Sequence, residues 1–299
     1  MLRTHLGCKI PIIMSKENVV VVTDSTASVS KNEAAKYGIE VVPLRLGPPV
    51  DPDRNRDGVD IDTNGLVELM DKTGLIPKTS GPPPGDFEDA YKRHPDSDII
   101  SIHLLKKASS TVSSAETAAS EVAASRSKSR RIVVYDSGTM SMGLGFLAQM
   151  AAELSRKGAS IEEIIKKLDS MRSRTEIYAL INSMKNVAVG GRLGAITRLI
   201  GTGLGIKPVI KFTDGNYGIY KAIRSENKAL AEIVDLTEAH GRENGLEKVA
   251  VVHAGALETA KGVAQEISRF YPEVGIFDCG AVLATHAGPR MVGVVAVRK

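Results

Sequence analysis

The 299-residue sequence has no tryptophan and only 4% aromatic residues, so stacking on bases or sugars is not its main way of binding. Cysteine is almost missing as well. Cys8 and Cys279 lie far apart and match no metal-ligand spacing, which points to a reduced, cytoplasmic protein without a metal or other cofactor. No apolar run approaches the roughly 18 residues needed to span a bilayer. The apolar patch at 10–14 lacks a small-residue cleavage site after it, which argues against a secretory signal. The formal net charge is only +4, and so small an excess gives little support to nucleic-acid binding. No internal repeat or low-complexity linker interrupts the chain, so two lobes in close contact are expected.

What is present is an alternation of apolar strands and helices. Residues 19–23, 39–46, 98–103 and 131–135 read as strands, and their near-continuous apolar character predicts burial on both faces, as in a parallel sheet. Helical spacing occupies 31–37, 66–72, 110–124 and 143–156 between them. That rhythm predicts a doubly wound α/β domain over 18–160, preceded by an arm at 1–17 that is disordered or a mis-called start. From 161 to 299 the pattern changes to a smaller, mixed-sheet α/β domain. Strands at 207–212 and 218–223 flank Asp214-Gly215-Asn216, a hairpin signal. Further strands are expected at 177–182, 249–254, 274–277 and 292–297, with helices at 161–172 and 228–242 and between the later strands.

In α/β sheets ligands bind where strands end and helices begin, and the loops there are rich in hydroxyls. Thr23-Asp24-Ser25-Thr26 follows the first strand; Lys78-Thr79-Ser80-Gly81 lies in a proline-stiffened loop; Ser109-Ser110-Thr111 opens a helix. A serine before a helix is explained by capping alone. Several such loops on one sheet edge instead favour a shared site for a carboxylate or phosphate. His286 lies in a Thr/Gly/Pro segment expected to be a loop between two strands, where packing has little need of a histidine. His103 and His253, at strand ends, read as structural.

Taken in order, these segments resemble the DegV family, which includes the fatty-acid-binding subunits of bacterial fatty acid kinase. The carrying motifs are Val22-Thr23-Asp24-Ser25-Thr26-Ala27, Pro77-Lys78-Thr79-Ser80 with Pro84-Gly85, and Ser101-Ile102-His103. Further along come Asp136-Ser137 with Ser141-Met142-Gly143-Leu144-Gly145, Gly190-Gly191-Arg192-Leu193-Gly194, Lys207-Pro208 and Thr285-His286-Ala287-Gly288-Pro289. The resemblance implies a non-catalytic carrier of one long-chain fatty acid, its carboxylate at the lobe junction and its acyl chain buried. A separate ATP-dependent kinase would phosphorylate that carboxylate to an acyl phosphate. By position, Thr79, Ser80, Ser109, Ser110, Thr111 and His286 would hold the carboxylate, with Asp24 and Ser25 in support. Arg192 and Arg224 match basic positions assigned to the kinase-facing surface. Ser109-Ser110-Thr111-Val112 stands where the family usually has Ser-Gly-Thr-Tyr, and Gly81-Pro82-Pro83-Pro84 where it has Gln-Pro-Ser-Pro. The segment 47–56 is longer and more charged than usual. These departures bear on chain preference and partner choice.

The physics is compatible with a lipid. Burying about fourteen methylenes at about 0.8 kcal/mol each contributes roughly 11 kcal/mol, against association costs of about 4–15 kcal/mol. Charge-assisted hydrogen bonds add about 1.5–3 kcal/mol each, offset by several for desolvating the carboxylate. The tail should dominate affinity and the polar loops orientation. The alternative is a serine hydrolase using Ser109 or Ser80, His286 and an aspartate such as Asp24, although the sequence has no Gly-x-Ser-x-Gly elbow. Gly143-Leu144-Gly145-Phe146-Leu147-Ala148 fits a dinucleotide fingerprint, but it comes too late after its strand, so close packing is the better reading. Gly201-Thr202-Gly203-Leu204-Gly205-Ile206-Lys207 fails the Walker spacing, and Pro208 replaces the required hydroxyl.

Overall fold

In the computed structural model, residues 19–124, 130–191 and 206–299 are described. The first lobe runs β1 (Val19–Asp24), α1 (Lys31–Tyr37), β2 (Ile39–Val42), β3 (Arg45–Leu46), α2 (Thr63–Thr73) and β4 (Thr79–Ser80). It continues with α3 (Pro84–Lys92), β5 (Asp98–His103), α4 (Thr111–Ala124), β6 (Ile132–Asp136) and α5 (Met142–Arg156). Four strands form an all-parallel sheet in the order β2-β1-β5-β6. Side chains alternate along each strand. Val22 and Ile99 pack under α3 and α4 with Phe87, Tyr91 and Ala115, whereas Val21, Ile100 and Ile102 face α5 through Leu144 and Leu147. Burial on both faces is the reason these strands read as continuous apolar runs.

The second lobe runs α6 (Ile161–Arg172), β7 (Thr175–Leu180), α7 (Met184–Val189), β8 (Lys207–Thr213), β9 (Asn216–Ile223) and α8 (Glu226–Gly241). It ends with β10 (Leu246–His253), α9 (Leu257–Ile267), β11 (Gly275–Asp278), α10 (Ala281–Ala287) and β12 (Val292–Arg298). Its six-stranded sheet has the order β11-β10-β12-β7-β8-β9. Only β10 and β11 are parallel neighbours; the other pairs are antiparallel. Tyr178, Leu180, Val209 and Val294 bury one face with Ile233 of α8 and Val263 of α9.

Much of the other face is covered as well. Ile177, Val252, Val295 and Val297 pack against α5 and α6 in the same cluster that covers the first sheet. Helix α5 therefore lies between two sheets, and it is buried along most of its length: Met142, Leu144, Phe146, Leu147, Ala148, Ala151 and Ala152 are all covered. Its glycines are packing devices. A Cβ at Gly145 would lie 2.5 Å from the Ala27 carbonyl oxygen, and one at Gly143 2.5 Å from Thr139 Oγ1. Close approach, not a nucleotide, accounts for the Gly-x-Gly-x-x-Ala pattern.

Several local expectations change. The strand expected over 39–46 is broken at Pro43-Leu44: β2 stays in the parallel sheet, while β3 leaves to pair with β4. The loop expected around Thr79-Ser80 contains that short strand, and α3 begins at Pro84, a residue well suited to a first helical turn. His286 is not in a loop. It sits in the last turn of α10, a helix bounded by Gly280 (φ +86°) and Gly288 (φ +84°) and buried through Ala281, Val282 and Ala284. The arm at 1–17, most of the glycine-rich stretch at 190–205 and Arg192 lie outside the described residues.

Candidate functional site

Two of the three hydroxyl loops, at 79–81 and 108–109, face the second lobe across an apolar cavity of about 150 Å³. An apolar cavity of about this size can stay dry and accept an apolar guest. Ile177, Ala179 and Ile181 of the β7 segment and Ile210 and Phe212 of β8 line it. The intervening Tyr178, Leu180 and Val209 point to the opposite face under α8 and α9. Strand alternation thus splits one sheet into a core face and a ligand-sized wall. Phe212 stacks on Tyr217 of β9, centroids 4.9 Å apart, and both rings line the cavity. Val282, Leu283 and Ala287 of α10 with Met291 supply another wall, and Leu44, Leu104 and Met140 come from the first lobe.

Polar atoms gather at one part of this lining. Thr79 is fixed by the pairing of β4 with β3, opposite Leu46. Its Oγ1 lies 2.7 Å from Nε2 of His286, so the two lobes meet through this hydrogen bond. A Cβ at Gly190 would collide with Nδ1 of the same ring, which explains the glycine at the end of α7. Ser109 also lines the cavity; its Oγ accepts the Thr111 N–H at 3.2 Å and lies 2.8 Å from Thr111 Oγ1. Part of its role is therefore the cap-like turn expected of a serine before a helix. Gly81 closes the gap between the two hydroxyl loops, since a Cβ there would be 3.0 Å from Thr111 Oγ1.

Thr79, Ser80, Ser109 and His286 are thus brought together on the cavity. Ser110 and Thr111 are not part of its lining: Thr111 is fully buried, with its hydroxyl on Ser109, and Ser110 is exposed beside Gly81. Ser25 is further off, donating to Asp57 Oδ2 at 2.8 Å. Arg224 is exposed just after β9. Two residues that sequence reasoning missed belong to the site's frame. Ser141, at φ +53°, lines the cavity and shares a 3.0 Å hydrogen bond with Ser28. Asp57 is buried and accepts the Ala281 N–H at the start of α10.

Asp24 serves a sealed network. Its Oδ1 accepts the Thr26 N–H at 3.0 Å, and its Oδ2 accepts the Leu104 N–H at 3.0 Å and lies 3.1 Å from His103 Nδ1. His103 Nε2 is 2.7 Å from Ser101 Oγ, to which Tyr91 donates at 2.8 Å. A serine–histidine–aspartate chain therefore exists, but Asp24, Ser101 and His103 are 0% exposed and no substrate reaches them. Because Asp24 is committed there and His286 Nε2 to Thr79, the expected alternative of a hydrolase built on Ser109, His286 and Asp24 is not supported. Burial pushes the Cys279 thiol well up, away from a reactive thiolate. Among the described residues no group of three or more His, Cys, Asp or Glu is placed to hold a metal ion. No helix among them is long and apolar enough to cross a membrane.

A family model described as "Uncharacterised protein, DegV family" matches residues 18–299. The chain belongs to the DegV family. Protein DegV of Bacillus subtilis is 32% identical to it over 282 residues, which covers 93% of this chain and 98% of that protein. Among solved structures, the B. subtilis DegV fatty acid binding protein superposes with a TM-score of 0.83 at 32% identity, covering 95% of this chain and 100% of its own. A fatty-acid-binding DegV family protein from Thermus thermophilus gives 0.84 at 28% identity, covering 94% and 99%. A stearic-acid-binding protein from Eubacterium ventriosum gives 0.84 at 25% identity, covering 93% and 98%. These family members share the α/β architecture of a parallel and a mixed sheet.

Proposed function

We propose that this protein binds one long-chain fatty acid, with the carboxylate at Thr79, Ser80, Ser109 and His286 and the acyl chain along the apolar wall of the second sheet. The observation that carries this reading is the single cavity in which a cluster of hydroxyls and an imidazole opens onto the faces of Ile177, Ile210 and Phe212. A carboxylate suits donors of this kind, and a methylene chain suits the rest. The fatty acids bound by the Thermus, Bacillus and Eubacterium relatives support it.

The carrier holds the acid for a separate ATP-dependent kinase, which forms the acyl phosphate. Kinase, ATP and metal bring the chemistry; this chain contributes position and is not itself the enzyme. Arg224, and Arg192 outside the described residues, belong to the kinase-facing surface, and the protein works in the cytoplasm. The chain divides into domains at 18–160 and 161–299, with the ligand at their junction.

Native mass spectrometry of the purified protein, followed by denaturing extraction, tests the ligand class. The expected result is a single co-purified long-chain fatty acid, converted to acyl phosphate when a fatty acid kinase and ATP are added. A protein that is empty and takes up no added fatty acid contradicts the reading.

A further inference from the structure

Helix α10 is fastened to the first lobe at both ends. At its last turn His286 Nε2 meets Thr79 Oγ1 at 2.7 Å. At its first turn Asp57, from the loop between β3 and α2, accepts the Ala281 N–H at 2.8 Å through Oδ1. The other carboxylate oxygen accepts from Ser25 Oγ at 2.8 Å, and Ser25 Oγ in turn accepts the Leu44 N–H at 3.1 Å. Gly280, at φ +86°, supplies the positive-φ backbone just before α10 that a side chain would strain. Between the two fastenings α10 presents Val282, Leu283 and His286 to the cavity.

We propose that Asp57 is the positioning residue for His286, holding α10 in place along the cavity so that the imidazole meets Thr79 and the ligand carboxylate. The proposal rests on the fatty-acid reading of that cavity. The free N–H groups of a helix start favour an anion, but this anion is deeply buried. Desolvation pushes the Asp57 carboxyl up to about 6, opposed by hydrogen bonds from Ser25, Ala281 and Val282 and assisted by the charge of Asp24. Cys279, just before α10, feels the charge of Asp57. Lys31, Glu33, Asp62 and Asp278 line, with Asp57, a second, open cleft on the other side of this contact, and His253, lowered by burial, lies toward Asp278.

The folded value lies above the ordinary 3.8. The contribution of Asp57 to stability is therefore greatest at low pH and is lost as pH rises from about 4 through about 6. A side chain that only held the fold together would do better as the neutral amide, which buries no charge, but the amide has one acceptor oxygen where the carboxylate has two and cannot accept from both Ser25 and the Ala281 N–H. Asp57 thus costs stability at neutral pH while it orders the site.

The test compares wild type with Asp57→Asn, which keeps the shape. At about pH 7.5 the variant is expected to melt about 5 °C higher, from removal of the buried charge. Its affinity for hexadecanoate is expected to be about tenfold weaker. The ratio of the two affinities should close toward one as pH falls through about 6; taking the ratio cancels titration of the free ligand. Ser25→Ala, which removes a hydrogen bond to the charged form, should move that closing point to higher pH. An Asp57→Asn protein that melts lower yet binds hexadecanoate as wild type does at every pH overturns the positioning role alone. A wild type that takes up no hexadecanoate overturns the fatty-acid reading, and this proposal with it.

Discussion

Two polar clusters occupy the same end of the first sheet, and they share much of their chemistry. One is Asp24, His103, Ser101 and Tyr91, joined by hydrogen bonds of 2.7–3.1 Å and sealed under α3, with the triad members at 0% exposure. The other is Thr79 and His286, joined across the lobe junction, which with Ser109 face an apolar cavity. The first has the donor–acceptor order of a catalytic triad but no access. The second lacks that order but has both access and an apolar extension. Residue types do not tell a frame from a site; access and the company of apolar surface do.

Mutation should separate the clusters. The largest effect is expected on folding at the sealed one. Asp24→Ala leaves the Leu104 and Thr26 N–H groups and His103 without their acceptor, and should cost about 3–5 kcal/mol in urea unfolding whether or not lipid is present. Equal destabilisation by Thr79→Val would erase the distinction. The next effect is on binding. Ala179→Phe projects a ring from the wall of the cavity; displacing about four methylenes at about 0.8 kcal/mol each costs roughly 3 kcal/mol, or about 200-fold in hexadecanoate affinity by calorimetry. Thr79→Val and Ser109→Ala come next, each weakening affinity about tenfold with unfolding changed by about 1 kcal/mol or less. The smallest effect on binding is at Arg224, exposed after β9. Arg224→Glu should leave hexadecanoate affinity unchanged and slow only its phosphorylation by a kinase.

Much of this architecture was legible beforehand because burial writes itself into strands. The runs at 19–23 and 98–103 read as strands covered on both sides, which they are, and the Asp214-Gly215-Asn216 turn does join β8 to β9. The short elements were harder to read. Helix α10 spans Ala-Val-Leu-Ala-Thr-His-Ala, too few residues to display a period against its neighbours, so His286 was expected in a loop. Likewise β3 and β4 are two residues each and exist through their mutual pairing. Within the site, Thr79, Ser80, Ser109 and His286 carried signals as hydroxyls and an imidazole in odd company. Ser110 and Thr111 gave the same signal, because local sequence does not say which way a helix's first turn faces. Asp57 gave none: its partners Ser25 and Ala281 are 32 and 224 residues away, so its role exists only in the folded chain. Ser141 stood only within a family motif, with no role attached to it.

A crystal structure of the protein saturated with hexadecanoate tests the central claim most directly. The account predicts the carboxylate within hydrogen-bond distance of Thr79 Oγ1 and Ser109 Oγ, with the chain lying against Ile177, Ile210 and Phe212. A carboxylate bound away from these hydroxyls, or a chain outside the inter-lobe cavity, would contradict it.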